Sequence, residues 1–147
     1  MSLEILTKDK VQVQDHVEDW SQAITEASQP LLEQDYIETG YVDAMINSVK
    51  ELGPYIVIAP DIAIAHARPD DNVNKVGLSL LKLNHAINFA EDSHYASLIF
   101  VLSATDSTSH LGVLQSLAGV LGNQAVVKQL LDSKDSDEII EIIKEND

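Results

Sequence analysis

The run "VQVQ" at residues 11–14 alternates apolar and polar side chains with the two-residue period of a half-buried strand. The period then changes. In "DWSQAITEASQPLLEQ", beginning at Asp19, the residues Trp20, Ile24 and Ala27 recur at helical spacing behind an aspartate suited to capping a helix. Pro30 interrupts this pattern, and because proline lacks the helical N–H it is expected to begin a fresh turn after Ser28. "TGYVDAMINSVKELG" predicts a second helix, with Tyr41 or Val42, Met45, Ile46 and Val49 on one stripe and Gly53 as its stop. Beyond Gly53 the chain turns β-branched and apolar. "YIVIA" (55–59), "VGLSLLKL" (76–83) and "ASLIFVLSA" (96–104) predict strands, the last apolar enough to be central in a sheet covered on both faces.

Helices return with "HLGVLQSLAGVL", where Leu111, Leu114, Leu117, Ala118 and Leu121 form the stripe and Ser107, Thr108 and Ser109 are capping candidates. Two shorter helices are expected near 124–131 and 137–144. Helices before and after a run of strands define an α/β class built in two or three layers, with helices on both sides of the sheet. No internal repeat or linker divides the chain, so residues 1–147 are read as one domain.

Composition narrows the chemistry. The chain has no cysteine, which removes disulfides, thiolate zinc sites and cysteine nucleophiles together. A formal charge of −15 opposes binding to nucleic acid and to anionic lipid; it would favour encounter with a basic or arginine-bearing protein, although charge alone is more often a matter of solubility. No stretch approaches a membrane span and residues 1–10 hold no apolar signal core, so a cytosolic location without membrane insertion is expected.

Against that acidic background the segment "IAIAHARPDD" (62–71) stands out, because Arg68 is the only arginine among nine cationic residues and lies two positions after His66. If "IAIAHAR" is extended, Ile62, Ile64, His66 and Arg68 share one face. Pro69 favours extended backbone at Arg68. Ala63, Ala65 and Ala67 on the other face are small enough for close packing or for the approach of another protein's backbone. A lone histidine is more often a surface or hydrogen-bonded group than a reactive one. The adjacent guanidinium, a planar fork matched to phosphate or carboxylate oxygens, is what tilts the reading toward an anion site.

His110 falls in or next to the first turn of the helix that follows the most apolar strand. Helix N-termini present free amides and a positive dipole end, and ligands of α/β sheets gather beyond strand ends. His110 and the amides near Ser107, Thr108 and Ser109 are therefore candidates to converge on His66. His85 and His94, in the expected turn region "NHAINFAEDSHY", and His16 after the first strand read as surface imidazoles. No glycine-rich phosphate loop, GxSxG elbow or HExxH element occurs.

The runs "GPYIVIAPDIAIAHARPDD", "VGLSLLKL", "INF" and "LIFVLSATDSTSHLGVLQSLAGVL" resemble the enzyme IIA domain of the bacterial phosphoenolpyruvate-dependent sugar phosphotransferase system, in its mannitol/fructose-type superfamily and most like the ascorbate-type branch. The resemblance spans almost the whole chain. It implies a mixed sheet flanked by α-helices and a phosphoryl carrier that uses neither metal nor other cofactor. His66 would accept a phosphoryl group from the phosphohistidine of HPr and pass it to a cysteine of the cognate IIB component. IIB would in turn phosphorylate a sugar, ascorbate in this branch, entering through a IIC transporter. His110 matches the second family histidine, which stabilises the phosphorylated site, and Arg68 is expected to help offset phosphoryl charge. Two positions depart from the family pattern: Ala65 stands where proline is frequent and Ala67 where glycine is common. Two other readings remain at this point: an EIIA-like sensor whose phosphorylation state controls a bound regulator, and a metal-dependent hydrolase using His66, His110 and an acid such as Asp106.

Overall fold

The fold comes from a computed structural model, which describes residues 2–90 and 94–147. Its elements follow the chain as two 3-10 turns (Ser2–Ile5, Lys8–Lys10), β1 (Val11–Gln14), α1 (Trp20–Glu33), α2 (Thr39–Leu52), β2 (Val57–Ala59), β3 (Asp61–Ala65), β4 (Gly77–Asn88), β5 (Tyr95–Ser103), α3 (Leu111–Leu121), α4 (Gln124–Asp132) and α5 (Ser136–Asn146). The five strands form one mixed sheet in the order β1-β4-β5-β3-β2. β4 and β1 are parallel, β5 and β4 antiparallel, β3 and β5 parallel, and β2 and β3 antiparallel. Among the described residues no helix is long and apolar enough to cross a membrane.

β5 is central, and every residue of it after Tyr95 is buried. Its two faces feed two cores. Val101, Ile99 and Ala96, with Ala63 and Ala65 of β3, pack under α1 and α2 against Ile24, Leu31, Tyr41 and Met45. Phe100, Leu98 and Leu102, with Ile62 and Ile64, pack under α3, α4 and α5 against Leu117, Leu130 and Ile139. The strand period thus sorts β3 between two layers of helix, as the mixed α/β architecture requires.

One expectation is corrected by a contact from a distant part of the chain. Pro30 starts no new turn, because α1 runs through it from Trp20 to Glu33. The carbonyl four residues back, Glu26 O, would lack an N–H donor, and the side-chain amide of Gln12 on β1 supplies one at 2.7 Å. Of the two uses open to the small face of β3, close packing is the one seen, since Ala63 and Ala65 have no exposed surface and lie in the core under α1 and α2. The strand read at 55–59 shrinks to Val57–Ala59, because Gly53 at φ 85° ends α2 and a tight turn through Pro54 follows, with Tyr55 N–H bonded to Gly53 O at 2.9 Å.

β4 is longer than the expected 76–83 and carries His85 on its extension rather than in a turn. Past an irregularity after Lys82 the extension pairs again with β5, Ile87 opposite Ala96. Part of the turn region around His94, residues 91–93, lies outside the described residues. In α3 the buried positions are Val113, Leu117, Val120 and Leu121, while Leu111 is 54% exposed. The helix is so uniformly apolar that spacing alone does not choose its inner face.

Candidate active site

β3 and β5 run parallel with Ala65 opposite Val101, so their C-terminal ends emerge side by side at one end of the sheet. His66 is the first residue beyond β3 and Arg68 lies two residues later. The loop that leaves β5 returns through His110 into α3. All three site residues anticipated from the sequence therefore lie at the same end of the sheet.

His66 is half-buried, and its Nδ1 lies 2.8 Å from the carbonyl oxygen of Ile64. A carbonyl only accepts, so Nδ1 carries the proton and donates it. In the neutral ring this leaves the lone pair on Nε2. The Tyr55 ring stands edge-on to the imidazole, with centroids 5.4 Å apart and planes at 85°. Tyr55 Oη also donates to the His66 carbonyl at 2.8 Å.

Tyr41, buried in α2, reaches the same chain segment from beneath. Its Oη accepts from Ala67 N–H at 3.1 Å and donates to Leu102 O at 2.9 Å, joining the exit of β3 to the end of β5. Burial pushes the Tyr41 phenol up to about 12.

The chain beyond Arg68 is fastened to the α1–α2 link. Glu38 N–H donates to Asn72 O at 2.8 Å, the Asn74 side chain donates to Glu38 at 2.7 Å, and Ile37 bridges Val73. A side chain at Gly40 would press into Asn72, its Cβ falling 2.5 Å from the amide oxygen. Arg68 itself is exposed and makes no hydrogen bond or ion pair with the described residues.

The loop into α3 is braced internally. Asp106 Oδ1 accepts from Thr108 N–H at 2.9 Å and Ser109 N–H at 2.6 Å, which hold its carboxyl below the usual range. Ser109 Oγ accepts in return from the amides of Thr105 and Asp106. The amides of Thr108 and Ser109, anticipated as phosphoryl ligands, are therefore already occupied, and the hydroxyls cap this turn rather than the helix. The N-cap position of α3 falls to His110, whose Nδ1 is buried without a hydrogen-bond partner.

Tyr41 and Tyr55 are the site residues that sequence reasoning missed. Tyr41 was one more apolar member of the α2 stripe. Tyr55 counted toward a strand, although it sits inside the "GPY" that carries the family resemblance.

The other histidines gather elsewhere. His16 Nδ1 lies 3.2 Å from Asp15 Oδ2, and His85 Nδ1 lies 3.3 Å from Asp15 O, at the end of the sheet opposite His66. Among the described residues no group of three or more His, Asp or Glu side chains is placed to hold a metal ion.

His66, its Nδ1 fixed by a neutral carbonyl, lies two residues before an arginine that pairs with none of the described residues, an arrangement suited to receiving an anion. The family described as "Phosphoenolpyruvate-dependent sugar phosphotransferase system, EIIA 2" matches residues 4–146, and the chain belongs to that family. It is a phosphotransferase component, a phosphoryl carrier of the sugar phosphotransferase system working through a phosphohistidine.

The chain is 34% identical over 125 residues, 85% of each sequence, to the mannitol-specific cryptic phosphotransferase enzyme IIA component of Escherichia coli K12. The solution structure of that component from E. coli superimposes with a TM-score of 0.89 at 31% identity, covering 97% of both chains. An ascorbate-specific EIIA component of Salmonella choleraesuis is 28% identical over 136 residues, 90% of this chain and 88% of its own. The fold also matches enzyme IIA mannitol of E. coli, solved in complex with phosphorylated enzyme IIB mannitol, with a TM-score of 0.83 at 24% identity over 95% of this chain and 97% of that one.

Proposed function

We propose that Nε2 of His66 accepts a phosphoryl group from the phosphohistidine of HPr and passes it to a cysteine of a cognate IIB component. The observation that carries this reading is the 2.8 Å bond from Nδ1 to Ile64 O, which leaves Nε2 as the ring's nucleophilic atom. Its lone pair forms the new P–N bond as the P–N bond to HPr breaks, and the electron pair returns to the HPr imidazole. In the second transfer the IIB thiolate forms a P–S bond and the pair returns to Nε2. P–N to P–N exchange is close to balanced, so the protein's work is alignment and stabilisation of the transferring charge.

Arg68 supplies a guanidinium with no competing carboxylate. His110 completes the arrangement as a donor. A buried N–H left unpaired is rarer than an unpaired acceptor, so the buried Nδ1 of His110 is the unprotonated one and Nε2–H is free to donate to a phosphoryl oxygen. Exposed Tyr55 and Leu111 offer apolar contact for transient partners. The net charge of −15 speeds their encounter.

Within this reading the chain works in the cytoplasm, and the IIB it feeds phosphorylates a sugar entering through a IIC transporter. From the "GPYIVIAP" run we assign the ascorbate type, and comparing transfer to ascorbate-type and mannitol-type IIB tests that choice. The carrier role itself is tested by intact mass after incubation with phosphoenolpyruvate, enzyme I and HPr. Wild type gains one acid-labile phosphoryl group and His66→Ala gains none. Equal labelling of both, or of neither, overturns the assignment of His66.

A further inference from the structure

The peptide unit between His66 and Ala67 is held at both of its polar atoms by tyrosine hydroxyls. Its carbonyl accepts from Tyr55 Oη at 2.8 Å, and its N–H donates to Tyr41 Oη at 3.1 Å. Tyr41 is in turn tied to Leu102 O at 2.9 Å, so the plane is referenced to the central strand rather than to another loop. A peptide unit is rigid, and fixing its two ends fixes ψ of His66 and φ of Ala67 together. Those angles set how the chain leaves His66 and where it carries Arg68.

Tyr55 acts on the ring as well. Its edge-on contact at 5.4 Å opposes rotation of the imidazole away from Ile64 O, the acceptor that decides which nitrogen is free. Both hydroxyl protons are already given to carbonyl oxygens, so in this arrangement neither tyrosine donates to a phosphoryl group.

Taking His66 as the phosphoryl acceptor, we propose that Tyr55 and Tyr41 are positioning residues for the transfer: together they clamp the His66–Ala67 peptide so that Nε2 and the Arg68 guanidinium face one anion. Ala67 stands where a glycine is common in the family, and the clamp supplies rigidity at that joint from outside the loop.

The test pairs transfer rate with tautomer. Phosphorylation by phospho-HPr is timed at 25 °C for wild type, Tyr55→Phe, Tyr55→Leu and Tyr41→Phe, and ¹⁵N NMR of the unphosphorylated proteins reads the His66 ring. Tyr55→Phe keeps the ring contact and loses the hydroxyl. The clamp predicts a transfer rate roughly three- to tenfold lower, the equivalent of one net hydrogen bond, with the Nδ1–H pattern of His66 retained by the ring contact. Tyr55→Leu, which also loses the ring contact, falls further, and its His66 Nδ1–H pattern moves toward a tautomer average. Tyr41→Phe slows transfer similarly, and if it fails to fold the exposed Tyr55 variants carry the test.

Wild-type rates in folded Tyr55→Phe and Tyr41→Phe overturn the proposal. So does a Tyr55→Leu protein whose His66 keeps the wild-type Nδ1–H pattern, because the edge-on ring then holds nothing in place. A wild type that takes no phosphoryl group on His66 overturns the carrier reading, and the tautomer measurement then decides the clamp on its own.

Discussion

The two ends of the sheet both carry histidine, with different immediate partners. At the far end His16 and His85 surround Asp15, whose carboxyl is held below its usual range by hydrogen bonds from His16 and then Asn84. At the near end His66 is bonded to a neutral carbonyl and braced by a neutral phenol, and neither it nor Arg68 meets a carboxylate among the described residues. A dianionic phosphoryl group brought to the far end meets Asp15 at once. At the near end the Arg68 guanidinium is exposed and pairs with none of the described residues. If His66 is the phosphoryl acceptor, its advantage over His16 and His85 lies in a neutral partner on one nitrogen, a lone pair on the other and a nearby arginine that pairs with none of the described residues.

The largest effect should come from removing that asymmetry. Arg68→Ala or His110→Ala is expected to slow phosphoryl transfer or shorten the phospho-form's lifetime roughly a hundredfold, the scale of losing one preorganised charge-stabilising group. His16→Ala and His85→Ala should leave both unchanged. Single-turnover kinetics across the four variants checks this, and an unaffected Arg68→Ala or His110→Ala removes that residue from the account.

Salt sharpens the comparison less steeply. Because the acidic surface acts through encounter, raising ionic strength should slow phosphorylation several-fold through the on-rate alone. A salt-independent rate would mean that the acidity serves only solubility.

Tyr41 makes the near end sensitive to alkali. An unfolded tyrosine ionises near 10, while the folded phenol resists until about 12, so its contribution is complete below 10 and is lost as pH rises through that window. The whole loss amounts to about 2–3 kcal/mol at two pKa steps. Urea denaturation at pH 8 to 12 should show this slope in wild type and not in Tyr41→Phe.

The smallest effect concerns Asp106. Its depressed carboxyl stabilises the turn above the ordinary carboxylate value of 3.8, and that support is lost as pH falls through the lower folded value. Asp106→Asn should flatten the acid limb of the stability curve, with little change near neutrality.

What the sequence disclosed about this site follows from the range of the forces involved. The Asp19 cap, the Gly53 stop and the pairing of His66 with Arg68 are local, and each is visible in a window of a few residues. The tyrosine clamp is not, since Tyr41 reaches Ala67 across 26 positions and Leu102 across 61. Pro30 teaches the same lesson in the scaffold: its missing N–H reads as a break until Gln12, from another element, answers Glu26 O. The amides of Thr108 and Ser109 are not open to a ligand because Asp106, a neighbour in the same loop, accepts from both, a local role that the sequence pattern did not single out.

The central claim is that geometry selects Nε2 of His66. Long-range ¹H–¹⁵N NMR of the phosphorylated protein addresses it directly. The account predicts a single phosphohistidine at His66 with phosphorus on Nε2 and the Nδ1 proton still bonded. Phosphorus on Nδ1, or on His110, would contradict it.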